Sequence, residues 1–334
     1  MKKSILISSL KYGFTLIIAF ALLWYAFKDV SVMDMLGRLG EVEFSWIYLS
    51  VFLSIISHIL RAYRWSILLK PLGYHVSIFR SFWAVMVGYL ANLAFPRMGE
   101  VTKCGVLKKT DGVKISTSMG TVVTERIFDV LSLLIIMLIT FIFEFGKLNE
   151  FFKDLFSNKL SSDRIPKIEL IMLSFGGVVI LGIALFLLLK KIRHNEAFSK
   201  FLSLFMQFKE GLFSINKIDN IPGFILSSIG IWVLYYLMSY IIVFSIPETS
   251  QLDWIAGLAI LVVGGIGMSA PVQGGIGTYH VLVAALLTLY GIDQTNGVFF
   301  ATLLHTSQTL SVMIVGSISL IIVSFIRRNK LQEN

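Results

Sequence analysis

Long apolar runs separated by short polar segments make up most of the chain. Six of these runs approach or exceed the ~20 residues with which a helix crosses the hydrocarbon core of a bilayer. They are Tyr12–Phe27, Ser45–Leu69, Ser116–Phe143, Leu170–Leu189, Pro222–Ile246 and Gly297–Ile326. The alternating ten-residue pattern of membrane strands is absent from the sequence. The pattern therefore predicts six full transmembrane helices.

Two further apolar runs are broken in the middle. Phe79–Lys109 is interrupted at Pro96, and Trp254–Tyr290 is interrupted at Pro271. Basic residues flank both ends of the first run, whereas the second lies between outer segments. Each run must then return to the side on which it began. Non-helical backbone at membrane depth is tolerated where protein or a wet cavity surrounds it. We therefore predict two re-entrant hairpins with tips near these prolines.

Composition supports a membrane protein and excludes an ordinary soluble domain. The chain has 334 residues, of which 56% are hydrophobic and 15% charged, and a formal net charge of +9. The positive-inside rule places both termini in the cytoplasm of a bacterial cell, with a multi-pass chain in the cytoplasmic membrane. The basic excess is typical of loops beside anionic lipid, so no nucleic-acid partner is expected. The single cysteine, Cys104, allows no internal disulfide.

The two halves of the chain show the same order of elements in opposite orientation. Residues 1–144 and 168–334 each contain two spans, one hairpin and a final span, joined by an outer loop at 145–167. Both tips contain Pro-x-x-Gly, at Pro96/Gly99 and at Pro271/Gly274. We predict one all-α polytopic membrane domain with an inverted repeat, equivalent to eight nominal membrane helices. Interrupted segments at matching positions indicate a transport site at the membrane midplane.

Three ionised residues, Glu125, Arg126 and Asp129, fall inside a predicted span. Charged groups at membrane depth cost on the order of 3 kcal/mol each on insertion scales, so they are kept where they pair or act. One interpretation is that Arg126 and Arg97 hold a lipid phosphate, while a carboxylate binds a proton, a cation or a cationic headgroup. The other is a buried network that fastens the first hairpin to the helix. The sequence leaves both open.

The second tip offers a separate set of polar groups. Its glycines could present backbone N–H groups to an anion, or serve only to turn the chain tightly. His305 and Gln308 share a helix face and could form a second polar wall. The candidate translocation residues are Arg61, Arg64, Arg97, Glu100, Lys103, Glu125, Arg126, Asp129, Gln273, His280, His305 and Gln308, and the tip residues are Pro96, Gly99, Pro271, Gly274, Gly275 and Gly277. No metal-ligand spacing, nucleophile arrangement or Walker loop appears, so we expect no enzyme activity, metal or cofactor.

Several of these motifs resemble a known family. Arg61-x-x-Arg64-Trp65, Pro96-Arg97-x-Gly99-Glu100, Thr124-Glu125-Arg126-x-x-Asp129 and Pro271-x-x-Gly274-Gly275-Ile-Gly277 are similar to those of flippase-like integral membrane proteins. That family is related to the transmembrane flippase domain of lysylphosphatidylglycerol synthetase, the multiple peptide resistance factor. The resemblance covers about residues 10–326. Two positions depart from it: many relatives have proline where Gln273 stands and glutamate where His280 stands.

The resemblance implies movement of a phospholipid or an isoprenoid-linked lipid between leaflets. It argues against aminoacyl-lipid synthesis, because the fused transferase domain is not found after Asn334. Two alternatives remain: an ion-coupled secondary transporter of a small anionic solute, and a non-catalytic accessory subunit of lipid or glycan assembly. The headgroup, the coupling ion, the direction and any homo-oligomeric state stay open.

Overall fold

A computed structural model describes residues 21–28, 32–144, 203 and 206–326, and these residues are helical apart from short connections. Residues 21–27 and 206–212 form short helical segments. The remaining helices are α1 (Val32–Gly37), α2 (Phe44–Leu69), α3 (Ile78–Ala94), α4 (Gly99–Asp111), α5 (Ile115–Phe143), α6 (Ile221–Tyr240), α7 (Trp254–Ser269), α8 (Thr278–Thr288) and α9 (Gln294–Phe325). The all-helical prediction holds throughout these ranges.

Four segments are long and apolar enough to cross a membrane, namely Phe44–Leu72, Ile115–Phe143, Ile221–Ser245 and Gln294–Phe325. They confirm four of the six predicted spans. The span predicted at Leu170–Leu189 and the outer loop at 145–167 lie outside the described residues, as does most of the span at Tyr12–Phe27.

The long helices are apolar on the outside and polar within. Ile135 and Leu138 of α5 and Ile314 and Ile321 of α9 are exposed, whereas Glu125 on α5 is fully buried. A water-soluble bundle would show the reverse arrangement. A helix pairs its own backbone N–H and C=O groups away from its ends, which is what hydrocarbon requires. The distribution is that of a protein surrounded by lipid.

Helices α3 and α4 form a closely packed antiparallel unit, the first helix pair. A Cβ on Gly88 would lie 2.8 Å from the carbonyl oxygen of Gly99, so only glycine allows this approach. Asn92 Oδ1 accepts a 2.6 Å hydrogen bond from Gly99 N beside the turn. At the open end of the pair, Arg80 Nη1 lies 2.8 Å from Asp111 Oδ1. The chain turns at 95–98 around Pro96, so α3 stops where the sequence predicted it would.

Helices α7 and α8 form the second helix pair. A Cβ on Gly267 would lie 2.9 Å from Tyr279 Cα, which shows how closely the backbones approach. Thr278 Oγ1 donates to Gly267 O at 2.7 Å across the turn. That turn, residues 270–277, contains three glycines with positive φ: Gly274, Gly275 and Gly277. A β-carbon would be strained at such angles, which explains the glycine-rich sequence.

The turns of the two helix pairs lie close to each other. A Cβ on Gly274 would lie 2.9 Å from Leu93 Cδ2, and Arg97 Nη2 donates to Ser269 O at 3.4 Å. Arg97 itself has a φ of 63°, which is costly for a residue with a side chain. The first pair also packs on α9, and α7 of the second packs on α5. Each pair therefore contacts the last long helix of the opposite half.

Ordinary capping defines several of the helix ends. Asp253 Oδ1 accepts from Ala256 N at 2.8 Å, and Asp293 Oδ1 accepts from Asn296 N at 3.0 Å. Gly112, with a φ of 71°, ends α4. Such caps satisfy N–H and C=O groups that a helix terminus leaves free. They fix the starts of α7 and α9 and the end of α4.

Candidate functional site

Four cationic and three anionic side chains form one cluster between the first helix pair, α2 and α5. They belong to residues that the sequence singled out: Arg61, Arg64, Lys103, Arg126, Glu100, Glu125 and Asp129. The Arg61-x-x-Arg64 and Glu125-x-x-x-Asp129 spacings place each pair on one face of its helix. Formal charges leave this cluster with a net +1.

Asp129 binds the two arginines of α2. Its Oδ1 lies 2.7 Å from Arg64 Nη2, and its Oδ2 lies 2.9 Å from Arg61 Nη1. Arg126 Nη1 lies a further 3.5 Å from Oδ2. Buried charges are stable only when paired and hydrogen-bonded in this way. Both oxygens of this carboxylate are therefore already occupied by protein.

Glu125 links the first helix pair to α5. Its Oε2 lies 2.8 Å from Lys103 Nζ, which also lies 3.2 Å from Glu100 Oε2. The other oxygen, Oε1, is 3.9 Å from Arg64 Nε, and neither atom has a hydrogen-bond partner. Lys103 sits 4.5 Å from the centre of the Trp65 ring. It is thus a buried lysine, unlike the exposed Lys108 of the same helix.

Arg126 is the exposed cation of the cluster. Its side chain is 44% exposed, whereas those of Arg61, Arg64 and Lys103 are at most 5% exposed. It has ion-pair contacts with Glu100 at 3.2 Å and with Asp129 at 3.5 Å, and its buried Nε has no hydrogen-bond partner among the described residues. The exposed part of its guanidinium can donate to an external anion.

The exposed side of Arg126 faces a cavity of about 540 Å³. Arg61 and Asp129 line the same cavity. Most of the remaining wall is apolar, and it includes Leu93, Val130, Leu133, Ile260, Met268 and Leu304. Helices α2, α3 and α5 to α9 all contribute, as does the second turn through Gly274. A charged centre thus sits beside a large apolar surface.

Another part of the cavity wall is formed by polar side chains of histidine and glutamine, the neutral wall. His305 Nε2 lies 2.7 Å from Gly274 O, and its ring centre lies 4.9 Å from that of His280. Gln308 Nε2 donates to Ser50 Oγ at 2.9 Å. Both His305 and Gln308 line the cavity, as their shared helix face predicted. His58, one turn before Arg61, lies on the wall as well.

Comparison with known families places the chain among membrane proteins. The family model described as the lysylphosphatidylglycerol synthase TM region matches residues 13–316. The chain belongs to this family. The match confirms the resemblance that the Arg-Trp, Gly-Glu and Glu-Arg-x-x-Asp motifs indicated. It covers both helix pairs and every residue of the charged cluster.

Two archaeal relatives of this family member extend over most of the chain. UPF0104 membrane protein MJ1078 of Methanocaldococcus jannaschii is 24% identical over 249 residues, which cover 73% of this chain and 97% of the relative. UPF0104 membrane protein PH1989 of Pyrococcus horikoshii is 22% identical over 330 residues, 89% of this chain and 90% of the relative. No solved structure matches the chain significantly.

The structure divides the predicted site residues into three groups. Those that line it are Arg61, Arg126, Asp129, Gly274, His305 and Gln308. Arg64, Glu100, Lys103 and Glu125 stand behind them in the charged cluster. Arg97 lies exposed in the first turn, while Gln273 and His280, the two departures from the family pattern, are buried in or beside the second turn.

Sequence reasoning missed several cavity residues. Tyr235 OH accepts from Arg61 Nη2 at 2.9 Å and from Nε at 3.2 Å, and so orients that guanidinium. Trp232, Tyr89 and Ser54 also line the cavity. Aromatic and serine residues within an apolar run carry no distinctive signal. Among the described residues, no three His, Cys, Asp or Glu side chains come together as a metal site.

Proposed function

We propose that the protein moves an anionic phospholipid or lipid-linked intermediate between the leaflets of the cytoplasmic membrane. The observation that carries the proposal is the half-exposed Arg126 guanidinium in a cavity whose walls are otherwise largely apolar. Guanidinium matches phosphate oxygens in a bidentate geometry. Apolar walls suit acyl or isoprenoid chains.

The proposed membrane arrangement treats both helix pairs as re-entrant hairpins. Helices of 17, 13, 16 and 11 residues are short for a span of ~20 residues. The turns of the two pairs meet each other, which suits entry from opposite faces to a common depth. The proposed inverted repeat is supported by reciprocal packing: α3 lies on α9, and α7 lies on α5. Both termini are then cytoplasmic.

A lipid route requires that acyl chains remain in the bilayer while the headgroup crosses. Val130 and Met268 line the cavity, and they are 55% and 49% exposed. This wall therefore carries apolar surface that the described protein does not cover. We propose that chains lie along it while the phosphate contacts Arg126. With no nucleotide-binding motif in the sequence, a gradient, a partner or leaflet asymmetry supplies the driving force.

Transport of a small soluble anion is the second candidate, because the net +1 cluster attracts any anion. It differs from the lipid route in needing no lateral opening.

The test for both uses purified protein in liposomes that contain a trace of NBD-labelled phosphatidylglycerol. Dithionite added outside bleaches only the outer leaflet. We expect the protein to carry labelled lipid from the inner to the outer leaflet, so that dithionite bleaches this dye as well. Absence of exchange with and without a proton gradient, together with uptake of radiolabelled phosphate, would favour the soluble-anion transporter.

Two variants that each remove one positive charge test whether lipid exchange depends on the cavity. Arg126→Ala should slow lipid exchange at least about tenfold, because a hydrogen bond to a charged group contributes about 1.5–3 kcal/mol. Lys109→Ala removes the same charge from an exposed position of α4 that does not line the cavity. It should exchange lipid at the wild-type rate. Equal rates in the two variants would contradict the role of Arg126.

A further inference from the structure

Arg126 lies between the cavity and a carboxylate of the first helix pair. Its side chain lines the cavity and is half-exposed. Its Nε lies 3.2 Å from Glu100 Oε1, but this buried nitrogen has no hydrogen-bond partner among the described residues. Charge rather than a well-formed hydrogen bond therefore holds this Nε to the carboxylate. The guanidinium that would contact a ligand phosphate is already paired with an anion of the protein.

Glu100 is the most loosely held of the three carboxylates in the charged cluster. Its side chain is 30% exposed, compared with 10% for Asp129 and 0% for Glu125. Its contacts with Arg126 and Lys103 are both 3.2 Å long. Asp129 and Glu125 instead have contacts of 2.7 Å and 2.8 Å with buried cations. Partly exposed ion pairs contribute little to stability, so the Glu100 carboxylate is the one that can exchange.

Separation of Glu100 from Arg126 would leave each buried charge of the cluster with a partner. Lys103 keeps its 2.8 Å contact with Glu125. Asp129 keeps its contacts with the two buried arginines of α2. The Glu100 side chain already has an exposed side. An unpaired buried charge is strongly unfavourable, and this separation avoids one.

The contact between Glu100 and Arg126 also joins two elements of the fold. Glu100 is the second residue of α4, which begins immediately after the turn at 95–98. Arg126 belongs to α5, which is long enough to cross a membrane. The ion pair between Lys103 and Glu125 joins the same helices one turn further along α4. Loss of the first contact would therefore release the start of α4 while the second still holds the helix.

We propose that Glu100 is an internal anion that competes with the phosphate group of the ligand for Arg126. Phosphate at Arg126 displaces the carboxylate and releases the start of α4 from α5. Return of the carboxylate displaces the phosphate, so that the ligand can leave. Glu100 is thus a positioning residue that acts through Arg126. This role rests on the proposed function, because that function requires a phosphate at Arg126.

Glu100→Gln tests the competition, because it removes the charge and keeps the size of the side chain. The purified variant is titrated in detergent with phosphatidylglycerol and, separately, with inorganic phosphate. We expect binding to be about two- to fivefold tighter than in the wild type, since no partly exposed ion pair is given up. Glu210→Gln is the control, because Glu210 is exposed and does not line the cavity. Equal or weaker binding by Glu100→Gln would overturn the proposal.

A double variant separates displacement from a general change in charge. In an Arg126→Ala protein, Glu100 has no guanidinium to compete for. Addition of Glu100→Gln should then leave the binding of phosphatidylglycerol unchanged. A carboxylate that only lowers the positive potential of the cavity would weaken binding with or without Arg126. A two- to fivefold gain that persists in the Arg126→Ala background would therefore refute the competition.

Hydrogen exchange detects the displacement itself. Saturating phosphatidylglycerol should speed amide exchange of residues 99–102 in the wild-type protein, because the start of α4 loses its contact with α5. In Glu100→Gln these amides should exchange fast with and without the lipid. Lipid that binds the wild-type protein without a change at these amides would show that the carboxylate stays in place, and would refute the proposal.

Leaflet exchange separates this role from the proposed function. In phosphatidylglycerol vesicles with a trace of NBD-labelled lipid, Glu100→Gln should slow exchange about two- to fivefold, because the bound phosphate is no longer displaced. Tighter binding by Glu100→Gln without any exchange by the wild type would refute translocation and keep the competition. Wild-type rates and affinities in Glu100→Gln would keep translocation and refute the competition. Inorganic phosphate that binds as tightly as the lipid would identify the free ion as the ligand.

Discussion

The ammonium group of Lys103 lies 2.8 Å from the carboxylate of Glu125, and both side chains are buried. One belongs to the first helix pair and the other to a long helix that could cross a membrane. The Lys103–Glu125 ion pair therefore holds the first helix pair against α5, beside the cavity. The sequence left open whether this cluster fastens the fold or serves transport. Glu125 stands behind the cavity wall, whereas Arg126, the next residue, faces the cavity.

This ion pair gives a test of stability. Glu125→Gln leaves a buried Lys103 with a single partner, Glu100, and should cost about 3–5 kcal/mol of folding free energy, the usual range for a broken buried pair. Lys103→Met should cost a similar amount. The double variant should recover much of the loss, because no unpaired charge remains. Thermal unfolding in detergent measures all three, and purely additive losses would contradict a direct coupling.

The close approach within the first helix pair gives a second prediction. Gly88→Leu would place side-chain atoms where Gly99 now packs, so the helices must separate. We expect the free energy of unfolding to fall by at least the ~1–3 kcal/mol that is typical of overpacking. The yield of folded protein should fall with it. Gly105→Leu on the partner helix is the control, because nothing lies within 4 Å of its β-carbon position. Detergent-extracted yield by size-exclusion chromatography distinguishes them; similar yields would argue against the close packing.

Membrane sidedness gives a third prediction. Single cysteines are placed at Lys70 and Lys114, which flank the first helix pair, and at Ser250 and Gln294, which flank the second; all four positions are exposed. The background is Cys104→Ala, whose native thiol is buried. An impermeant maleimide should label the first two from the cytoplasmic side only and the last two from the outside only. Labelling of positions 70 and 114 from opposite sides would mean that the first pair spans the membrane.

The second turn gives a fourth prediction. His305→Leu removes the 2.7 Å contact with Gly274 O while it retains an apolar side chain of moderate size. Backbone amides of residues 273–278 should then exchange with deuterium faster, because the turn loses its tie to α9. His75→Leu, at an exposed position outside the cavity, is the control. Unchanged protection in the His305 variant would show that the glycine backbone alone fixes the turn.

The sequence predicted the large elements because their physical signals are strong. Apolar length identified α2, α5, α6 and α9, and Pro96 marked the end of α3. The cost of charge in lipid drew attention to Arg126 and its neighbours, which proved to form one cluster. These signals are local or compositional, so they need no knowledge of packing.

Other features depend on contacts between distant parts of the chain. The sequence listed Lys103 among the candidate translocation residues, and only the fold shows that it is buried against Glu125. Trp232 and Tyr235 look like any aromatic residues of an apolar helix until α6 packs on α2 beside the cavity. Contacts of this kind depend on how distant helices pack. They cannot be predicted from a single sequence in which no motif marks the residues involved.

The buried polar face of α2 has a consequence for the energy of crossing. It extends from Ser50 through Ser54, His58 and Arg61 to Arg64, a distance of about 21 Å at ~1.5 Å per residue. The hydrocarbon layer of a bilayer is about 30 Å thick. Of this face, Ser54, His58 and Arg61 line the cavity, a distance of about 10 Å along the helix. A headgroup that crosses as proposed would meet polar side chains of α2 over about a third of the hydrocarbon depth, while the bilayer keeps its full thickness.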